Sequence, residues 1–208
     1  LLADYPAPDG VDLEVGGTVE DQGDAFGDLG TLLILIVILV YIVMATQFES
    51  LKFPFIIMFT IPFAFTGVFL ALWMTSTPLS LIALIGAIML VGIVTKNGIV
   101  MVDYMNLLVE RGSGVFDAVI AGGKSRLRPV LMTSFTTILG MLPLAIGTGV
   151  GSETWQPMGI AVIGGLTFST LLTLFIIPAL YSVFVNRSQR KEKEKLARLA
   201  AEHQASRH

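Results

Sequence analysis

Gly86-Ala-Ile-Met-Leu-Val-Gly-Ile-Val-Thr-Lys-Asn-Gly-Ile-Val-Met-Val102 is the stretch on which the reading of this chain turns. It is apolar enough to lie in a membrane, yet Lys96 sits near its middle. An ammonium at that depth costs roughly 2.5–3.5 kcal/mol on insertion scales. Such a group faces a bundle interior and has a partner. No Asp or Glu lies inside any apolar core of the sequence. Either the lysine sheds its charge, or its counter-charge lies in protein outside this chain.

The flanking sequence extends the membrane reading. Hydrophobic residues make up 54% of the 208 residues and charged residues only 14%. The mean hydropathy of +0.79 is far above that of a soluble domain. Apolar runs recur at the length needed to cross about 30 Å of hydrocarbon. With no cysteine, disulfides and thiolate metal sites are excluded. No cofactor, metal-site or nucleic-acid signature appears. The net charge of −3 says less than its distribution does.

Five spans are expected, at about 30–47, 54–75, 79–103, 129–147 and 157–185. All must be helical, because an unclosed segment in lipid has no other way to pair its backbone. The expected fold class is therefore an all-α membrane bundle, 30–186. Pro62, Pro143 and Pro178 predict kinks or local breaks, and Pro129 suits the first turn of the fourth span.

Of the 13 basic residues, all but Lys96 fall in alternate connections: Lys52, the 104–128 loop with Arg111, Lys124, Arg126 and Arg128, and the tail 187–208. The segment before the first span has no basic residue but carries Asp4, Asp9, Asp12, Glu14, Glu20, Asp21, Asp24 and Asp28. The positive-inside rule places the C-terminus in the cytoplasm and 1–29 outside. The alternating Val11-Asp-Leu-Glu-Val15 and the nearby glycines make 1–29 read as the end of an extracytoplasmic β-containing domain. The expectation is that the chain is the C-terminal piece of a larger protein.

After Gly112-Ser-Gly114, the residues Phe116, Val119 and Ile120 form an apolar stripe. They suggest an amphipathic surface helix at about 115–125; a solvated loop is the alternative. The tail reads as a frayed charged helix or as disorder, with a contact to anionic lipid as its one suggested role.

The polar residues within the spans are few. Asp103 shares a helical face with Lys96 but lies about 10 Å along the axis, too far for a direct pair. It also reads as a solvated end residue. Lys96 could snorkel towards the cytoplasm, past about two helical turns. On the fourth span Arg126 and Thr133 share a face, and Thr133, Thr136 and Thr137 cluster. Antiparallel spans bring Thr133 and Lys96 to similar depth. Threonines in membrane helices also simply bond their own preceding carbonyls. Gly86, Gly92, Gly98, Gly159, Gly164 and Gly165 suggest close helix approach, and Gly147–Ser152 a flexible loop.

GIVTKNGIVMVDY at 92–104, KSRLRPVLMTS at 124–134, LPLAIGTGVGSE at 142–153 and ATQFESLKFP at 45–54 together resemble the resistance–nodulation–division (RND) superfamily. The resemblance is nearest to its hydrophobe/amphiphile, or acriflavine-resistance, efflux branch, and runs from about 24 to 186. It implies the last five of twelve transmembrane helices of a homotrimeric bacterial inner-membrane pump. Residues 1–29 would end its periplasmic porter region. It implies proton antiport of amphiphilic drugs, with a periplasmic adaptor and an outer-membrane channel as partners. It also implies a relay in which Lys96 pairs with two aspartates of the missing N-terminal half, and Arg126 and Thr133 complete the network. Asn97 of the KN motif, Asp103, Thr136 and Thr137 would support it. Protonation of the aspartates would free the lysine to swing towards Thr133. One proton moving through 100 mV supplies about 2.3 kcal/mol for such a step.

The alternative is a relative with another cargo: a metal ion, a lipid or a protein. The lysine motif points to the drug branch. An intramembrane enzyme is the remote alternative, since no HExxH, GxSxG or paired intramembrane aspartate is present.

Overall fold

The computed structural model describes residues 18–147, 149 and 151–205. These form six helices: α1 (Thr18–Phe48), α2 (Lys52–Met58), α3 (Thr60–Met74), α4 (Leu81–Glu110), α5 (Val115–Ile146) and α6 (Ser152–Ala205). Five segments are long and apolar enough to cross a membrane: Asp21–Phe48, Lys52–Met74, Leu81–Glu110, Val115–Ile146 and Ser152–Asn186. They correspond one to one with the expected spans.

The differences lie at the ends and at the prolines. Residues 18–29, expected to belong to a β-containing remnant, are the first turns of α1, and no strand occurs among the described residues. Asp21 in the opening turn complements the positive end of the helix dipole. The alternation at 11–15 lies outside the described residues. The second span is divided at Phe59, between α2 and α3. Pro62 has no N–H to offer the Met58 carbonyl, so the ladder fails there. The nearby Thr60 hydroxyl donates to the Ile57 carbonyl at 2.6 Å and satisfies one acceptor beside the break.

The short helix expected at 115–125 and the fourth span are one continuous helix, α5. Pro129 thus sits in a helix interior and not in a first turn, as does Pro143. Pro129 is exposed, so its ring meets no packed neighbour and one ladder bond is the main loss. Of the two readings of the tail, the backbone takes the helical one through Ala205.

Short connections make successive spans antiparallel, with α2 and α3 together forming one of them. Ser80 caps α4 by accepting from the Ala83 amide at 3.2 Å. Gly147 closes α5 in the left-handed conformation (φ 68°), which costs glycine nothing. The connections at 49–51 and 111–114 lie at the end of the bundle that carries the basic residues. The connection at 75–80 and the turn at Gly147 lie at the other.

The α6 helix is the centre of the bundle and touches α2, α3, α4 and α5, whereas α1 packs only on α2 and α4. Two buried clusters stack along the bundle. One joins α3, α4 and α6 through Val68, Leu72, Leu90, Val94 and Leu166. The other, nearer the basic end, joins α1, α2, α4, α5 and α6 through Met44, Ile57, Met101, Met105, Val115, Ile177 and Tyr181. Lipid tails are as apolar as these side chains, so their contact gains little hydrophobic free energy. Close approach and interhelical hydrogen bonds must hold the bundle instead. At the α3–α6 contact, a methyl added to Gly67 would lie 2.8 Å from the Gly164 carbonyl oxygen. Gly86, Gly98, Gly159, Gly164 and Gly165 are tight in the same way, but Gly92 has nothing within 4 Å of such a methyl.

Candidate functional site

Lys96 lies at the middle of α4, about 22 Å from either end at 1.5 Å per residue. Its neighbours Val94, Thr95 and Gly98 are buried in the bundle. Lys96 points the other way and is exposed. There it lines a groove of about 330 Å³ between α1 and α4, with Leu39, Val43, Met44, Gly92 and Ile99 as apolar walls. This explains the open space over Gly92: it belongs to the groove floor, not to a helix contact. Among the described residues Lys96 forms no hydrogen bond or ion pair.

Arg126 is placed differently. Its guanidinium lies over the Tyr104 ring of α4, 4.6 Å from the centroid. Its Nε is buried and has no hydrogen-bond partner among the described residues. Tyr104 is about 12 Å from Lys96 along α4, and Arg126 is about 10 Å from Thr133 along the antiparallel α5. Thr133 therefore comes close to the level of Lys96, as the sequence suggests, and Arg126 lies towards the basic end.

The three threonines all donate to their own helix. Thr133 Oγ1 donates to the Val130 carbonyl at 3.0 Å, Thr136 to Met132 at 2.8 Å and Thr137 to Thr133 at 2.9 Å. The local-bond reading is thus the observed one. A hydroxyl that donates still has lone pairs to offer, so Thr133 faces outward as an acceptor. Asn97 is half-buried and Asp103 exposed. No hydrogen bond or ion pair among the described residues joins Lys96, Arg126 and Thr133 to one another.

Two interhelical polar contacts between side chains were missed, beside the Gln156 Nε2 donation from α6 to the Ala145 carbonyl of α5 at 3.1 Å. The Tyr181 hydroxyl on α6 donates to Asn106 Oδ1 on α4 at 2.6 Å, with Phe53 of α2 stacked on the Tyr181 ring at 5.8 Å. Ser134 on α5 and Thr170 on α6 share a buried hydrogen bond of 2.9 Å. A polar residue inside an apolar span was the available signal, but nothing in one sequence names its partner on another helix. Tyr104 was also passed over; its place at the end of GIVTKNGIVMVDY was the only pointer to it.

Five apolar spans, with α6 the central one and one ammonium held at mid-depth on an open face, define a multi-pass membrane protein. Comparison with known proteins gives the family. Residues 3–185 match the AcrB/AcrD/AcrF family, reaching further towards the N-terminus than the motifs do. The chain is 38% identical over 185 residues to the swarming motility protein SwrC of Bacillus subtilis, covering 88% of this chain and 18% of that protein. It is 40% identical over 174 residues to the cobalt-zinc-cadmium resistance protein CzcA of Cupriavidus metallidurans, covering 84% of this chain and 16% of that one. Its fold matches a crystal structure of a heavy metal efflux pump with a TM-score of 0.74 and 33% identity, over 82% of this chain and 17% of that one. A second crystal form gives a TM-score of 0.70. The chain belongs to the AcrB/AcrD/AcrF family of RND efflux transporters. It spans less than a fifth of the length of the curated relatives it matches.

The comparisons do not confirm the drug-efflux branch. The resemblance to that branch rests on four motifs between 45 and 153, and its preference over a metal relative on the lysine motif alone. The likeness to metal-efflux relatives runs through most of the chain.

Proposed function

We propose that this chain is the C-terminal membrane part of a proton-driven RND transporter that exports a heavy-metal cation, not an amphiphilic drug. The observation that carries the cargo is the 40% identity to a cobalt-zinc-cadmium resistance protein, joined by the fold match to a heavy metal efflux pump. Among the described residues no three His, Cys, Asp or Glu side chains are grouped to hold a metal. The proposal accordingly puts cargo recognition in parts of the protein beyond this segment.

In this reading Lys96, Arg126 and Thr133 form half of a proton relay, with Asn97, Asp103, Thr136 and Thr137 around it. Carboxylates on another helix, seated in the groove beside Lys96, supply the missing anion. While they are charged they hold the ammonium. Protonation removes the attraction, and Thr133 Oγ1, whose O–H already donates to the Val130 carbonyl, can accept from the released ammonium. The protein works as a homotrimer in the bacterial inner membrane. Its N-terminal segment is periplasmic, its C-terminus cytoplasmic, and an adaptor and an outer-membrane channel complete the path.

The test is growth of a bacterial host lacking its own RND exporters and producing the full-length protein. Raised tolerance to zinc, cobalt or cadmium with unchanged tolerance to amphiphilic drugs is expected. Drug tolerance without metal tolerance would overturn the cargo and restore the drug branch.

A further inference from the structure

We infer that Tyr104 is a positioning residue for Arg126, holding the guanidinium by its ring face so that α4 and α5 report each other's position at the basic end of the relay. The inference rests on the relay reading above and extends it to a residue outside the expected network.

Three observations carry it. The guanidinium carbon is 4.6 Å from the Tyr104 centroid, well within the range of a cation–π contact. The Arg126 Nε is buried with no acceptor, so hydrogen bonding at that nitrogen does not set the orientation of the fork. The Tyr104 hydroxyl has no hydrogen bond among the described residues, so the neighbour uses the ring and not its polar tip. Arginine in low dielectric is normally oriented by carboxylate or carbonyl acceptors. Here an aromatic quadrupole takes that place, and it sits on the same helix as Lys96. A shift of α4 that moves Lys96 also moves the surface on which Arg126 rests. The contact needs the ring face but no single hydrogen-bond alignment, so the guanidinium can slide across that face where a fork-to-carboxylate pair would have to break.

The test uses the full-length protein and measures cargo export, with membrane accumulation read in parallel. Tyr104→Leu removes the ring and is expected to lower turnover about tenfold, the scale of one lost cation–π contact. Tyr104→Phe keeps the ring and should restore export to within about twofold. Fluorinated phenylalanines placed at position 104 keep the shape while draining the ring face of charge. Export should fall stepwise as fluorines are added. Flat export across that series overturns the inference, whether or not Tyr104→Leu accumulates. Lys96→Ala and Arg126→Ala run in the same assay separate the two levels. If both export normally, the relay reading itself fails. If both lose export while the fluorinated series stays flat, only the role of Tyr104 fails.

Discussion

Lys96 shows how far single residues could be read. A charge in an apolar run is visible without any fold, and its depth follows from counting. That it opens on an apolar groove beside α1 and away from the α6 core was not visible, because the neighbour of a helical face depends on helix rotation. If the relay reading holds, Lys96→Ala in the full-length protein abolishes export, while accumulation and trimer assembly stay at wild-type levels. Normal export by that variant would remove Lys96 from the mechanism. Tyr181 gives a structural counterpart. Its hydroxyl joins α6 to α4 through Asn106, and membrane hydrogen bonds of this kind contribute about 0.6 kcal/mol on average and up to about 1.7. Tyr181→Phe should lower unfolding stability in detergent by about that amount, with the ring stacking on Phe53 retained. A loss above about 3 kcal/mol would mean that the hydroxyl does more than bridge two helices.

Helices were legible where hydropathy alone decides them and blurred where proline competes with it. The five spans rest on apolar length, which bilayer thickness makes almost unambiguous. The break at Phe59 and the unbroken passage of α5 through Pro129 come from the same residue type with opposite outcomes. Pro62 falls where Thr60 can satisfy a neighbouring carbonyl and the chain can restart. Pro129 falls on an exposed face of a helix that neighbours hold on both sides of it. Sequence does not carry that context. Glycines were read better, since small residues at an apolar crossing have few other uses, though Gly92 serves the groove and not a contact. Gly67→Val tests the α3–α6 crossing. Its added atoms would meet the Gly164 carbonyl and the Phe168 Cβ, both on or near the α6 backbone. Neither can swing aside as a flexible side-chain end can. A loss of at least 1–3 kcal/mol is expected, the usual scale of overpacking, seen as a lower thermal midpoint of the detergent-solubilised protein. Gly92→Ala, a smaller addition with nothing in this segment within 4 Å of it, should not lower that midpoint. If the two variants behaved alike, the crossing would not be set by glycine contact.

The molecule as a whole is read from charge, and here sequence and structure supply different halves of the argument. The structure provides five helical segments long and apolar enough to cross and a bundle with two ends, but no inside or outside. The sequence provides the asymmetry. Lys52, Arg111, Lys124, Arg126 and Arg128 stand at one end, and the acidic start of α1 stands at the other. Basic residues in short connections resist translocation, so the basic end should face the cytoplasm. The five crossings then require opposite sides for the two termini. In the full-length protein, a phosphatase reporter inserted near Asp9 should be active, as it is only outside the cytoplasm. A fluorescent protein fused after His208, which matures in the cytoplasm, should glow. Reversed signals would invert the bundle and put Arg126 and Tyr104 at the outer mouth. Matching signals at both termini would mean that one of the five apolar helices does not cross; α1, which packs on α2 and α4 alone, would then be the first to re-examine.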